Sequence, residues 1–273
     1  MTPAFGLIIV GDEILSGKRA DKHMPKAIEL LAARGLPLAY ADYVGDDPER
    51  ITATLKRAFA SADVVFSCGG IGATPDDHTR QCAARALGVP LQLHPEAESL
   101  IRERMKDVAA EQGTPYEPDR PDNVHRLNMG VFPQGARIIP NPYNKIPGFS
   151  CDGPQGAKVH FVPGFPVMAW PMIEWVLDQE CRQWFDRQPQ IEHSIVIYGA
   201  MEAALTPLME RIEHEHPAVR VFSLPSVDHP EHGRHIELGV KGPSAAVPAA
   251  WNALHSMLHE VGAKFGPELV RNL

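Results

Sequence analysis

Apolar and polar residues alternate in blocks along the first ninety positions. "FGLIIVG" (5–11) is a short apolar run ended by glycine, the signature of a buried strand. Residues 22–34 carry apolar positions at helical spacing, and Gly35 follows as a stop. "LPLAYADYV" (36–44) predicts the next strand, and residues 46–61 a helix. That helix has a strong start: Asp47 as cap, Pro48 at the first position and Glu49 at the positive end of the dipole. "DVVFSCGG" (63–70) is a third strand, and a helix over 77–87 stops at Gly88. This order implies parallel strands with right-handed crossovers and helices on both faces. Ligands in such sheets sit beyond the carboxyl ends of the strands. Three segments fall there: "GDEILSG" (11–17), "VGDD" (44–47) and "GGIGATPDD" (69–77), all carrying acids.

The middle is less regular. Residues 95–112 predict a charged helix and 113–124 a Pro-rich loop. Residues 136–152 read as a hairpin or long loop, whose three prolines argue against a central strand. "KVHFVPGFP" (158–166) is a strand meeting a Pro-Gly turn. Residues 167–185 predict an apolar helix whose tryptophans, Trp170, Trp175 and Trp184, suit a core or a subunit interface. "DRQPQIEH" (186–193) is the best linker. Beyond it the pattern is βαββα, which predicts a small α+β domain over 189–273 after a main α/β domain over 1–188.

Composition narrows the function. The chain has 273 residues, 44% hydrophobic and 22% charged, with net charge −8 and no Lys/Arg run. That balance argues against nucleic acid as the main partner. No apolar stretch approaches the roughly 20 residues of a membrane span. The N-terminus lacks a basic region and a cleavage site, so its apolar part is read as a strand. The four cysteines (Cys68, Cys82, Cys151, Cys181) are scattered, which supports neither disulfides nor a zinc knuckle and fits a reducing cytoplasm. The 13 histidines form no HExxH and are expected mostly at the surface.

The chemistry gathers in "GGIGATPDD". Gly69, Gly70 and Gly72 leave bare backbone at a strand end, where successive N–H groups before a helix make an anion site. The loop is neither a Walker loop nor a dinucleotide fingerprint. One reading is a plain β–α turn with Asp76 or Asp77 as helix cap. Yet a cap takes one Asp, and Asp46 and Asp47 add two more acids nearby. Carboxylates repel phosphate unless a divalent cation lies between, and Mg²⁺ bridges one or two carboxylates to substrate phosphates. Alternatively, one Asp bonds a donor-rich ring such as a pterin while the glycines hold its phosphate. Asp12 and Glu13 either begin a helix after the first strand or belong to the site. Thr74 and Thr79 bond phosphate or serve as loop and cap residues, Thr79 more the latter.

"GDEILSG", "VGDDPERI" and "GGIGATPDDHT", in that order, resemble the molybdopterin-binding-like domain shared by MoaB/Mog proteins and the N-terminal part of CinA. The CinA form, GGLGPTxDDxT, is nearer than the Mog form, GGTGxxxRDxT. "NPYNKIPGF", "VPGFP" and "YGAMEAAL" resemble later CinA motifs, so the likeness covers roughly residues 4–240. It implies a three-layer α/β/α domain with a mostly parallel sheet and ligands of molybdopterin or nucleotide type. CinA relatives are associated with metal-dependent ADP-ribose pyrophosphatase activity, and the Mog branch adenylylates molybdopterin. Mog-type functional acids fall on Asp46 and Asp77. The family forms oligomers, which implies a dimer or trimer. The C-terminal deamidase domain that CinA-like proteins often carry is expected to be absent. There are departures: Lys22-His23 stand for the family Thr-Asn, Asn144 for a Gly, Met168 for a Glu and Ala203 for a Ser.

Two readings follow. In the first, Asp46 and Asp77 are catalytic, and Asp76 and Asp77 hold Mg²⁺, Mn²⁺ or Co²⁺ across a pyrophosphate. Gly11, Glu13, Gly69, Gly70, Gly72 and Thr74 line the ligand, and Lys145 either neutralises the leaving phosphate or is a solvated surface residue. In the second, the same fold holds a pterin or nucleotide without turnover. A KH-like nucleic-acid role for the trailing domain lacks its GxxG with flanking basic residues.

Overall fold

The computed structural model describes residues 2–185 and 190–272. The chain divides into two compact units, Met1–Phe185 and Asp186–Leu273.

The first unit runs β1 (Phe5–Val10), α1 (Asp12–Leu15), α2 (His23–Ala32), β2 (Leu38–Val44), α3 (Pro48–Phe59), β3 (Val64–Cys68) and α4 (Thr79–Leu87). It continues through β4 (Leu91–Leu93), α5 (Pro95–Glu111), α6 (Pro121–Arg126), β5 (Val131–Pro133), β6 (Arg137–Ile139), β7 (Gly148–Asp152), β8 (Lys158–Val162) and α7 (Pro166–Glu180). Six strands form the main sheet in the order β2-β1-β3-β8-β7-β6. The first four are parallel to one another, and β7 runs antiparallel to both β8 and β6. This is a three-layer α/β/α domain with a mostly parallel sheet.

Strand β1 shows why. Phe5, Leu7 and Ile9 join one core cluster with α2 and α7, while Ile8 and Val10 join another with α3 and α4. A strand buried on both faces must be apolar at every position, hence the unbroken run. Each such side chain contributes about 1.5–3 kcal/mol by leaving water. Local signals also hold. Asp47 accepts from the Arg50 amide at 2.8 Å as the α3 cap, and Gly88 ends α4 in the left-handed region at φ 71°.

The structure corrects the sequence reading in four places. Part of the Pro-rich loop is helical, since Pro121 opens α6 at the position where proline is tolerated. β7 is an interior strand between β6 and β8. Pro140, Pro142 and Pro147 all lie in the connection after Ile139 and before Gly148, so none breaks the ladder. Residues 190–193 of the linker belong to a strand, and 186–189 lie outside the described residues. The trailing unit also has one more strand than expected.

That unit comprises β9 (Gln190–Tyr198), α8 (Glu202–Glu215), β10 (Arg220–His229), β11 (Gly233–Pro243), α9 (Val247–Glu260) and β12 (Lys264–Asn272). Its antiparallel sheet has the order β10-β11-β9-β12, a ferredoxin-like βαββαβ arrangement. Gly266 and Pro267 lie within β12. They form an irregularity in an edge strand, where a missing N–H costs no ladder bond.

Histidines are not all at the surface: His23, His160 and His235 are buried. His160 is fully enclosed, with its Nδ1 2.7 Å from Ser150 Oγ across the β7–β8 ladder and its Nε2 without a partner. Burial, aided by Arg137 and Lys158, pushes its pKa down from 6.5 to about 3. The unfolded chain therefore binds a proton that the folded chain refuses. The stability due to His160 is full above about pH 6.5 and falls by roughly 1.4 kcal/mol per pH unit below it, towards pH 3. Guanidinium unfolding between pH 7 and 5 checks this. A Ser150→Ala/His160→Phe double variant should lose that part of the slope, and an unchanged slope would place its origin elsewhere.

Candidate functional site

The three acidic loops meet at the carboxyl edge of β1, β2 and β3. The Gly11 amide bonds the Val44 carbonyl at 3.0 Å, which fixes the first loop against the second. A reciprocal clasp follows: the Asp12 amide donates to Asp46 Oδ2 at 2.9 Å, and the Asp46 amide to Asp12 Oδ1 at 3.2 Å. Asp12 and Glu13 do begin a helix, α1, as one sequence reading had it. The Glu13 carboxylate folds back over Gly11, 2.5 Å from where a β-carbon there would stand. Burial pushes the Asp46 carboxyl up, and the Asp12, Glu13 and Asp76 carboxylates push the same way against the Asp12 amide bond. These acids thus share one electrostatic neighbourhood.

The glycine turn begins where the sheet ends. Gly69 donates to Val162 at 3.0 Å and then leaves the ladder at φ 107°, with Gly70 next at φ 68°. A β-carbon on Gly69 would strike the Val10 carbonyl, and one on Gly70 the Thr79 hydroxyl. Thr79 clamps the turn: its hydroxyl donates to the Gly69 carbonyl at 3.0 Å and its amide to the Gly70 carbonyl at 2.9 Å. Further along, Arg80 Nη2 donates to the Gly72 carbonyl at 2.5 Å, and His125 Nε2 lies 2.9 Å from the Ala73 carbonyl. The Asp77 amide takes the Thr74 carbonyl at 3.0 Å.

The carbonyls of Gly69, Gly70, Gly72, Ala73 and Thr74 are therefore turned into protein. The loop's amides from Gly70 to Ala73 are not. The N–H groups of Gly70, Ile71, Gly72 and Ala73 donate to no protein acceptor among the described residues. Four successive free donors make a surface complementary to an anion.

Neither Asp76 nor Asp77 caps α4, whose N-cap is His78. Asp77 Oδ2 instead accepts from the Thr74 amide at 2.8 Å and its hydroxyl at 2.5 Å, and lies 2.5 Å from a β-carbon placed on Gly72. Asp76 is exposed, and its carboxyl is held below the usual range, chiefly by the nearby Thr74 hydroxyl, although the hydrogen bond of that hydroxyl goes to Asp77. Lys145 sits at φ 66° with its ammonium 2.7 Å from both Glu103 and Asp107 of α5, which raise its pKa. Among the described residues no three His, Cys, Asp or Glu side chains converge to hold a metal ion.

Arg80 and His125 were not legible as site residues. Arg80 reads as an ordinary helix residue. Its carbonyl partners at Asn128 and Val131 are 48 and 51 residues away. His125 lies just beyond the Pro-rich stretch 113–124, in a segment given no reading from sequence. Asp12 was weighed, but its clasp to Asp46 spans 34 residues.

Residues 6–183 match the family described as a probable molybdopterin binding domain, and the chain belongs to that family. Within it, the chain is similar to CinA-like proteins. It is 34% identical over 172 residues to one from Anaeromyxobacter sp., a match covering 63% of this chain and 40% of the relative. The matched part is thus less than half of that longer protein. A protein of Pyrobaculum calidifontis is 29% identical over 266 residues, covering 96% of this chain and 97% of the other. The crystal structure of CinA from Thermoplasma acidophilum, described as of unknown function, superposes with a TM-score of 0.54 at 27% identity. That superposition covers 65% of this chain and 97% of that one. No helix among the described residues is long and apolar enough to cross a membrane. All four cysteines are free and buried.

The clash at Gly70 gives a stability test. Gly88 has a similar φ, 71°, but open space around it. Gly88→Ala should cost about 1–2 kcal/mol, from left-handed strain alone. Gly70→Ala adds the collision with Thr79 and should cost measurably more by urea denaturation. Equal costs would mean that the turn relaxes away from its clamp.

Proposed function

We propose that this domain binds a phosphorylated pterin or nucleotide at the carboxyl edge of its sheet, with phosphate on the Gly70–Ala73 amides. The observation that carries this reading is the imbalance in the glycine turn, where the carbonyls of Gly69, Gly70, Gly72 and Ala73 are engaged while the four amides from Gly70 to Ala73 are free. Membership of a molybdopterin-binding family and likeness to CinA support the ligand class.

The acids define the rest of the pocket. Asp46, crowded by Asp12, Glu13 and Asp76, is a like-charge cluster that a divalent cation or a donor-rich ring would relieve. The described carboxylates make no protein-only cage, but Mg²⁺-type sites are commonly completed by the ligand's own phosphate. Asp46 and Asp76 would hold such an ion (Mg²⁺, Mn²⁺ or Co²⁺), which would supply charge neutralisation at a pyrophosphate. Asp46 and Asp77 are then the residues on which hydrolysis of ADP-ribose depends. The amides orient the phosphate, and the Thr74–Asp77 pair fixes the end of the turn.

A second reading, binding without turnover, has its own observation. Met168 stands where the CinA pattern has Glu, and its sulfur is 3.3 Å from Asn144 Nδ2. Asp77 Oδ2 is also already engaged by Thr74.

The test is AMP release from ADP-ribose by purified protein, with EDTA and then with Mg²⁺, Mn²⁺ or Co²⁺, beside Asp77→Asn. We expect metal-dependent release, reduced at least a hundredfold in the variant. Ligand-induced thermal stabilisation without release would select the binding reading. Neither effect, with ADP-ribose and a pterin phosphate alike, would remove both.

A further inference from the structure

Arg80 is a buried cation under the glycine turn. The residue is 4% exposed, yet no carboxylate hydrogen-bonds it among the described residues. Its guanidinium donates instead to three carbonyls: Gly72, Asn128 and Val131. Its Nε is buried without a partner. Asp77 is the one carboxylate whose field it registers, and burial outweighs that field and lowers the Arg80 pKa. Enclosing a charge costs several kcal/mol unless another charge answers it.

Two consequences follow from where Arg80 sits. A peptide's C=O and the next N–H point in opposite directions. By holding the Gly72 carbonyl inward, Arg80 turns the Ala73 N–H away from itself, among the free amides. Its positive charge also lies behind the turn, where low dielectric strengthens its reach to an anion in front.

We propose that Arg80 is the positioning residue that makes the glycine turn an anion site: it orients the Gly72–Ala73 peptide and supplies the buried positive charge that a phosphate group answers. This inference rests on the phosphate-binding reading above and names the element that reading lacks, a cation. Arg80 need not touch the ligand, so its effect passes through the turn. The ligand end it selects is a phosphate or pyrophosphate rather than a neutral sugar or ring.

The experiment is a pyrophosphate titration of the full chain in EDTA, followed by nitrogen–proton NMR. In the wild type we expect the Gly70, Ile71, Gly72 and Ala73 amides and the Arg80 Nε–H to shift together. Arg80→Gln should bind at least tenfold more weakly, and Arg80→Lys, which keeps the charge but not the fork, should recover part of the loss. A folded Arg80→Gln that binds as the wild type does would overturn the inference and leave the phosphate-binding reading standing. Wild-type amides silent to both pyrophosphate and ADP-ribose would overturn that reading and the inference with it. Should Arg80→Gln fail to fold, the wild-type Nε–H decides: amides that shift while it stays still would overturn the role of Arg80.

Discussion

The grip of Thr79 on the carbonyls of Gly69 and Gly70 is the constraint on which the site depends. β3 is buried on both faces and delivers the chain to the sheet's carboxyl edge in a fixed place. From there the chain must reverse into α4 through residues 69–78. Thr79 closes that reversal with two bonds from one residue, both to carbonyls. Arg80, His125 and the Asp77 amide extend the pattern through Gly72, Ala73 and Thr74. A turn whose carbonyls at Gly69, Gly70, Gly72 and Ala73 face protein turns the N–H that follows each of them the other way. The proposed anion site rests on that accounting of backbone groups.

Side chains then divide the pocket by charge. Behind the turn lies the Arg80 cation, and Asp77 is drawn onto Thr74. On the neighbouring loops Asp12, Glu13 and Asp46 crowd together, and Asp46 rises in pKa as a result of burial and of their proximity. An anion suits the first region and is repelled by the second unless a cation intervenes. The arrangement therefore fits a two-ended molecule, anionic at one end and either donor-rich or cation-bridged at the other. Pterin phosphates and nucleotide pyrophosphates both have that form. This is why the geometry supports a ligand class more firmly than a reaction.

How much of this the sequence disclosed depends on the range of each interaction. The alternating strands and helices were legible because burial on both faces forces unbroken apolar runs, as in residues 5–10. The Asp47 cap was legible because it spans three residues. The glycines and the Asp pair were legible as a motif, though not which atoms they would leave free. Arg80 was not, because its partners at 128 and 131 come from a segment with no chemical signature. The interior position of β7 and the existence of β12 were hidden by prolines. In one case these lie just outside the ladder, and in the other within an irregular edge strand.

The departures from the CinA pattern look different once their contacts are known. Asn144, standing for a glycine, accepts from the Ile146 amide at 3.1 Å and from Asn141 Nδ2 at 2.8 Å. That knot of amides holds the next residue, Lys145, in the left-handed region, a conformation that costs a non-glycine residue about 1–2 kcal/mol. The turn without the glycine is thus held by side-chain bonds of Asn141 and Asn144. Met168 meets the same knot through Asn144. The Glu-to-Met departure therefore belongs to a packed arrangement in which a charged carboxylate would displace an amide–sulfur contact. One carboxylate fewer leaves any cation more dependent on Asp46, Asp76 and the ligand itself. The proposed binding would draw on the free amides and Arg80, which these departures leave untouched; turnover would draw on the acids, the part of the site that the departures thin.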